Sequence, residues 1–142
     1  MTPEMGQGKM RDENGTITTA APAGTFIGTV GDGGRAVFAG IPFAQPPIGE
    51  LRFRPPVAPP DAVADVEAIE FRAAPVQRRF PQLGDLEISE DCLYLNVWTP
   101  DTRASRPVIV WIYGGGNELG MGAPPFTPGG VPPPQQTPLS FR

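Results

Sequence analysis

The chain has 142 residues, with 11 Lys plus Arg against 15 Asp plus Glu and a net charge of −4; no basic run offers a face to nucleic acid or to an anionic membrane surface. Histidine is absent and Cys92 is the single cysteine, which excludes a self-contained Ser-His-Asp triad, a histidine-rich or thiolate metal site and an internal disulfide. Glycine (18) and proline (20) exceed a quarter of the residues, so the chain is loop-rich and its core must come from a few segments.

Residues 1–15, MTPEMGQGKMRDENG, are polar and read as a disordered lead without the apolar run of a signal peptide. The longest strongly apolar run, VIVWIY, is too short to span a bilayer. These features set a cytoplasmic location as the expectation, with no membrane partner. Thr16-Ile17-Thr18-Thr19 reads as a short strand. Thr25–Val30 (TFIGTV) and Arg35–Ala39 (RAVFA) flank Gly31-Asp32-Gly33-Gly34, whose Asp-Gly pair is a hairpin signal. Gly40–Pro56, GIPFAQPPIGELRFRPP, is proline-rich and predicts an ordered loop or an extended coil rather than a ladder.

Periodicity is weak over residues 57–88, where a short helix is expected around Asp61–Phe71. Leu93–Trp98 (LYLNVW) reads as a strand and Thr99–Arg106 as a polar turn. Val108–Tyr113 (VIVWIY) is the most strand-like segment. Its unbroken β-branched and aromatic content predicts burial on both faces in mid-sheet, antiparallel to LYLNVW. Trp98 and Trp111 are expected in the core. The segment runs into Gly114-Gly115-Gly116. Beyond Gly122, APPFTPGGVPPPQQTPLSFR carries seven prolines in twenty residues, and the stretch 128–142 reads as a disordered tail with polyproline II character.

Four pieces, in order, resemble the N-terminal part of type-B carboxylesterases, the cholinesterase-like branch of the α/β-hydrolases. Gly24-Thr25-Phe26-Ile27-Gly28 is similar to the family's opening hairpin. Phe38–Gly49 with Arg52-Phe53 is similar to its GIPYA-x-PP-x-G-x-x-RF segment. Ser89–Pro100 is similar to its SEDCLYLNVWTP signature, and VIVWIYGGG to its oxyanion strand and loop. The resemblance covers roughly residues 16–127. It implies an α/β fold: the N-terminal portion of an α/β-hydrolase, a small antiparallel hairpin plus the first strands of the central sheet, incomplete and loop-rich. That is the first fifth or quarter of a family domain of roughly 500 residues.

The resemblance also implies roles. In acyl transfer, negative charge develops on the carbonyl oxygen, and backbone N–H groups aimed there stabilise it. In α/β-hydrolases one donor comes from an HGGG-type loop and another from the residue after the nucleophile. Gly115 and Gly116 take the donor positions, with Gly114 supporting the turn. Tyr113 stands where many relatives have histidine, a known variant, and Asn117 where an aromatic is common. Glu90 and Asp91 are structural rather than an acid–base pair, with Glu90 expected to pair with Arg52. Cys92 matches the second cysteine of a family disulfide. The partner position falls near Pro75-Val76-Gln77, which holds no cysteine, so Cys92 is expected to be a small buried hydrophobe.

No catalytic residue is expected in this chain. None of Ser89, Ser105 and Ser140 sits in G-x-S-x-G. The family pattern fades near Pro128, which suggests out-of-frame or terminal sequence on a truncated gene. The expected function is therefore that of an N-terminal fragment of a carboxylic ester hydrolase. It supplies the oxyanion glycine loop, is inactive alone, and needs no cofactor or metal; the parent's partner is a small-molecule carboxylic ester. The alternatives are a non-catalytic binding module, like the cholinesterase-like adhesion proteins, or a translated pseudogene product.

Overall fold

A computed structural model describes residues 15–60, 65–78 and 87–122. The expected lead and tail lie outside these residues, apart from Gly15. Among the described residues there are seven strands: β1 (Thr16–Ala21), β2 (Gly24–Val30), β3 (Ala36–Pro42), β4 (Val66–Glu67), β5 (Ala74–Pro75), β6 (Ile88–Ser89) and β7 (Tyr94–Thr99).

β1 and β2 form an antiparallel hairpin in continuous register from Thr16 opposite Thr29 to Ala21 opposite Gly24. Threonine, isoleucine, phenylalanine and valine suit a pleated, half-covered surface, and Pro22-Ala23 makes the turn. β2 leads to β3 through the expected glycine loop. A 3-10 turn spans Asp32–Gly34, and the Gly31 N–H donates to the Arg35 carbonyl at 2.8 Å.

β2 and β3 pair only at their base, Thr29 with Val37 and Val30 with Ala36, and then splay. Residues 66–69 fill the fork. β4 lies parallel to β2, Ala68 N–H donates to the Ile27 carbonyl at 2.7 Å, and Ala39 N–H donates to the Ala68 carbonyl at 2.8 Å. Ala68 is completely buried, because a ladder on both sides leaves room for little more than a methyl group.

β7 completes the main sheet antiparallel to β3, with a bulge between Phe38 and Ile41. A separate parallel pair joins β5 and β6 at Ala74 with Ile88 and Pro75 with Ser89. The core is small: Ala36, Phe38 and Ala68, flanked by half-buried Ile17, Phe26 and Ile41. Phe38 lies over Gly28, where a Cβ would sit 2.5 Å from the Val37 carbonyl oxygen and 2.6 Å from the Phe38 ring. A glycine is needed there for the close approach.

Three expectations are corrected. The helix around Asp61–Phe71 does not form in the described part of that stretch: residues 66–69 are recruited as a ladder between β2 and β3, and tertiary pairing overrides weak local preference. The proline-rich stretch contributes more than coil, because β3 runs through Gly40-Ile41-Pro42 to pair with β7; the proline is tolerated at the strand's end. The largest difference concerns VIVWIY. It forms no strand, does not pair with β7, and leaves Val108–Ile112 between 79 and 84% exposed, Trp111 at 81% among them. β-Branched content makes a segment compatible with a sheet but does not bring it to an edge; β7 ends the order β1-β2-β3-β7 with its outer edge unpaired among the described residues, and Val108–Tyr113 does not add to it. Trp98 is half-buried against Phe71, with ring centroids 6.2 Å apart.

Candidate functional site

The glycine loop follows the exposed extended segment. Gly115 and Gly116 have φ of 132° and 63°, and Asn117 has φ of 61°. The Gly115 carbonyl accepts from the Glu118 N–H at 3.1 Å and the Leu119 N–H at 3.3 Å, which folds the chain back on itself. Gly115 must be glycine, because a Cβ there would meet the Leu119 carbonyl oxygen at 1.7 Å. The turn consumes the Gly115 carbonyl but not the amides. Among the described residues nothing accepts from the N–H of Gly115 or of Gly116. Two adjacent peptide donors thus stand free on an exposed turn.

The far leg of the loop docks on the scaffold. The Gln77 side chain, just after β5, pairs with both backbone groups of Gly120, each at 2.8 Å. Asn96, on β7, donates to the Gly122 carbonyl at 3.0 Å and accepts from the Gly40 N–H at 2.8 Å. Arg72, Cys92, Tyr94, Asn96, Tyr113 and Met121 help line a shallow pocket of about 140 Å³ beside this leg. Arg72 lies over the Tyr94 ring, 5.8 Å from its centroid. Burial raises the Tyr94 phenol above its ordinary pKa, and a hydrogen bond to the Asp91 carboxylate raises it further.

Cys92 is a free, half-buried thiol whose pKa is also raised, first by burial and then by the charges of Asp91 and Glu90. A thiol held protonated is a poor nucleophile. Arg52, at the end of the 3-10 turn Gly49–Leu51, reaches Glu90, after β6, at 2.5 Å. The side chains are 54% and 40% exposed, so the bridge joins two loops at the surface. The Asp91 N–H donates to the Ser89 hydroxyl at 3.1 Å. Among the described residues, no group of three or more His, Cys, Asp or Glu side chains converges to hold a metal, and no helix is long and apolar enough to cross a membrane.

The sequence reading places the glycines together but misses Gln77 and Asn96. The stretch Pro75-Val76-Gln77 draws attention only as the place of an absent cysteine. Asn96 carried a usable signal. It shares with Tyr94 and Trp98 the covered side of β7, where a polar group needs a hydrogen-bond partner.

A family model described as the carboxylesterase family matches residues 15–129. The fumonisin B1 esterase of Sphingopyxis macrogoltabida is 43% identical over 112 residues, 75% of this chain and 20% of that protein. The acetylcholinesterase of Gallus gallus is 43% identical over 114 residues, 72% of this chain and 14% of its own length. Among solved structures, a PNB esterase superposes with a TM-score of 0.65 at 36% identity, covering 72% of this chain and 22% of that one. A Geobacillus stearothermophilus carboxylesterase gives 0.62 at 36% identity, over 72% and 20%. The chain therefore spans between 14 and 22% of the length of these relatives.

Proposed function

The chain belongs to the carboxylesterase family, with the N-terminal part of an α/β-hydrolase fold, and on that footing we propose that its glycine loop is the oxyanion-stabilising loop of a carboxylic ester hydrolase. The observation that carries the reading is the pair of adjacent N–H groups at Gly115 and Gly116, which have no acceptor among the described residues. When a nucleophile adds to an ester carbonyl, the oxygen becomes an alkoxide. Two fixed donors near 3 Å from that oxygen stabilise it more than the starting carbonyl. Gly114 carries the chain into the turn, and a third donor would follow the nucleophile.

These 142 residues bind developing charge but cannot initiate attack. They hold no histidine, and Ser89, Ser105 and Ser140 lack the elbow pattern. Nucleophile, acid and histidine would come from residues other than these, and the substrate would be a small-molecule carboxylic ester. The exposed Val108–Ile112 run fits the same reading. Covering such side chains contributes about 1.5–3 kcal/mol each, so the run is suited to lie between neighbouring strands of a larger sheet.

Two measurements test this. The purified 142-residue polypeptide should show no saturable, serine-reagent-sensitive hydrolysis of aryl esters; such turnover would refute the reading. Residues 15–122 grafted in place of the matching stretch of the Geobacillus stearothermophilus carboxylesterase should restore hydrolysis. Gly115→Ala in that graft keeps the N–H but moves it, because the new Cβ cannot share the space of the Leu119 carbonyl; kcat should fall by about 10²–10³-fold, the scale of losing an oxyanion donor. A folded but inactive graft, or one indifferent to Gly115→Ala, overturns the assignment.

A further inference from the structure

The leg that enters the glycine loop has no ladder partner among the described residues, so something else must fix where Gly115 and Gly116 stand. The hydrogen bonds that tie residues 107–122 to the rest of the described chain come from two amide side chains. Gln77 Oε1 accepts from the Gly120 N–H at 2.8 Å, while its Nε2 donates to the Gly120 carbonyl at 2.8 Å and to the Pro75 carbonyl at 3.0 Å. This is the reciprocal pairing of one peptide group with another. Asn96 holds Gly122, two residues on, and is itself braced by the Gly40 N–H in the bulge of β3.

The far leg is in turn packed on the near one. A Cβ on Gly120 would lie 2.7 Å from the Gly114 carbonyl oxygen and 2.4 Å from the Tyr113 ring. Fixing Gly120 therefore fixes Gly114, and with it the two free donors that follow. We propose that Gln77, assisted by Asn96, is the positioning residue of the glycine loop: its side-chain amide clips Gly120 to the scaffold and so sets the direction of the Gly115 and Gly116 N–H groups. The oxyanion role of those donors rests on the function proposed above; the clip does not.

The chemistry demands a primary amide. A carboxylate accepts but cannot donate, and would face the Gly120 carbonyl with like charge. A protonated carboxylic acid, however, presents a donor and an acceptor side by side, as the amide does. Gln77→Glu should therefore lose the clip near neutral pH and regain it below the ordinary glutamate range of about 4.3. Gln77→Met, similar in length without either group, should lose it at every pH.

Amide hydrogen exchange on the 142-residue protein reads this directly, as protection relative to each residue's intrinsic rate. The Gly120 amide should be protected about tenfold or more over that of Gly116, which has no acceptor among the described residues. Gln77→Met should remove most of that difference while leaving the Ala39 and Ala68 amides of the β2–β4–β3 ladder unchanged. In Gln77→Glu the protection of Gly120 should return as pH falls, with the ladder amides as internal control. The clip is overturned if Gly120 exchanges as freely as Gly116 in the unaltered protein. It is also overturned if Gln77→Met leaves Gly120 protected, or exposes Ala39 and Ala68 equally. In the grafted esterase, Gln77→Met should lower kcat about tenfold with KM little changed. Intact clip behaviour with an inactive graft would sink the oxyanion assignment alone.

Discussion

Residues 36–42 and 108–113 make an instructive pair. The first, AVFAGIP, holds a glycine and a proline and is the poorer strand by composition; the second, VIVWIY, is the better one. Yet AVFAGIP is β3, paired with β2 at its base and with β7 along its length, and its Ala36, Phe38 and Ala39 are 2–3% exposed. VIVWIY lies open. What separates them is the presence of partners. β3 has a hairpin neighbour five residues away, a fork filled by Ala68 and a β7 whose register it can accept with one bulge. Val108–Tyr113 has a flanking turn, Asp101–Arg103, and forms no ladder even with the outer edge of β7, the strand that ends the sheet among the described residues.

The largest expected effect comes from breaking the partnered side. Phe38→Ala removes the one large side chain of the core and should cost about 3–5 kcal/mol. For a small core that is a large part of the total stability, so thermal or urea unfolding should show little folded protein. Gly28→Ala attacks the same spot from across the sheet. Its new methyl would lie 2.5 Å from the Val37 carbonyl oxygen and 2.6 Å from the Phe38 ring, which demands a backbone shift and should cost about 1–3 kcal/mol. If either variant melts like the parent, the sheet is not what holds the protein together.

Both outcomes bear on what the sequence discloses. The β2–β3 hairpin was legible because its signals are local: two β-branched runs and an Asp-Gly turn. β7 was legible for the same reason. A turn at Gly114–Gly116 was legible in its three glycines, but they read as readily as a plain flexible turn, and the oxyanion role came only from the resemblance of the segments upstream. The wedge at 66–69 was not, since Ala68 is selected by the gap between two other strands, and nothing in VEAIE announces that gap. Gln77 was hidden for a related reason. Its role is defined by Gly120, a partner 43 residues away, and one glutamine in a loop has no periodicity to betray it.

Arg52, Glu90 and Cys92 sit between the two extremes, covered in part. The Arg52–Glu90 bridge is half exposed, and such pairs contribute about 0–1 kcal/mol. Glu90→Gln should therefore lower stability slightly at low salt and hardly at all in 1 M salt. A larger loss would mean that this corner is fixed more firmly than its exposure suggests. The Cys92 thiol adds a pH signature. Its folded pKa lies above 9.0, with burial the first cause, so the folded chain retains a proton that the unfolded chain has released. Its stabilising contribution is complete below pH 9 and fades as pH rises through the folded value. Alkylation by iodoacetamide should accelerate only at a pH above that of a free thiol, and urea should abolish the difference.

The smallest expected effect is the sharpest test of the unpartnered side. Trp111 is the largest side chain in its run, and in a core its truncation would rank beside Phe38→Ala. At 81% exposure it has little to lose, and Trp111→Ala should change the stability of the 142-residue protein by no more than about 0.5 kcal/mol. In the grafted esterase the same substitution should cost about 3–5 kcal/mol, because there the segment would gain strands on both sides. The ratio of the two losses measures how much of this segment's character is realised by neighbours rather than by its own residues. A loss of several kcal/mol in the 142-residue protein itself would mean that Trp111 already has a packing partner in solution, and the contrast between the two regions would disappear. Equal and small losses in both would leave the segment without strands in the graft as well, and would withdraw the reading that it lies between neighbouring strands of a larger sheet.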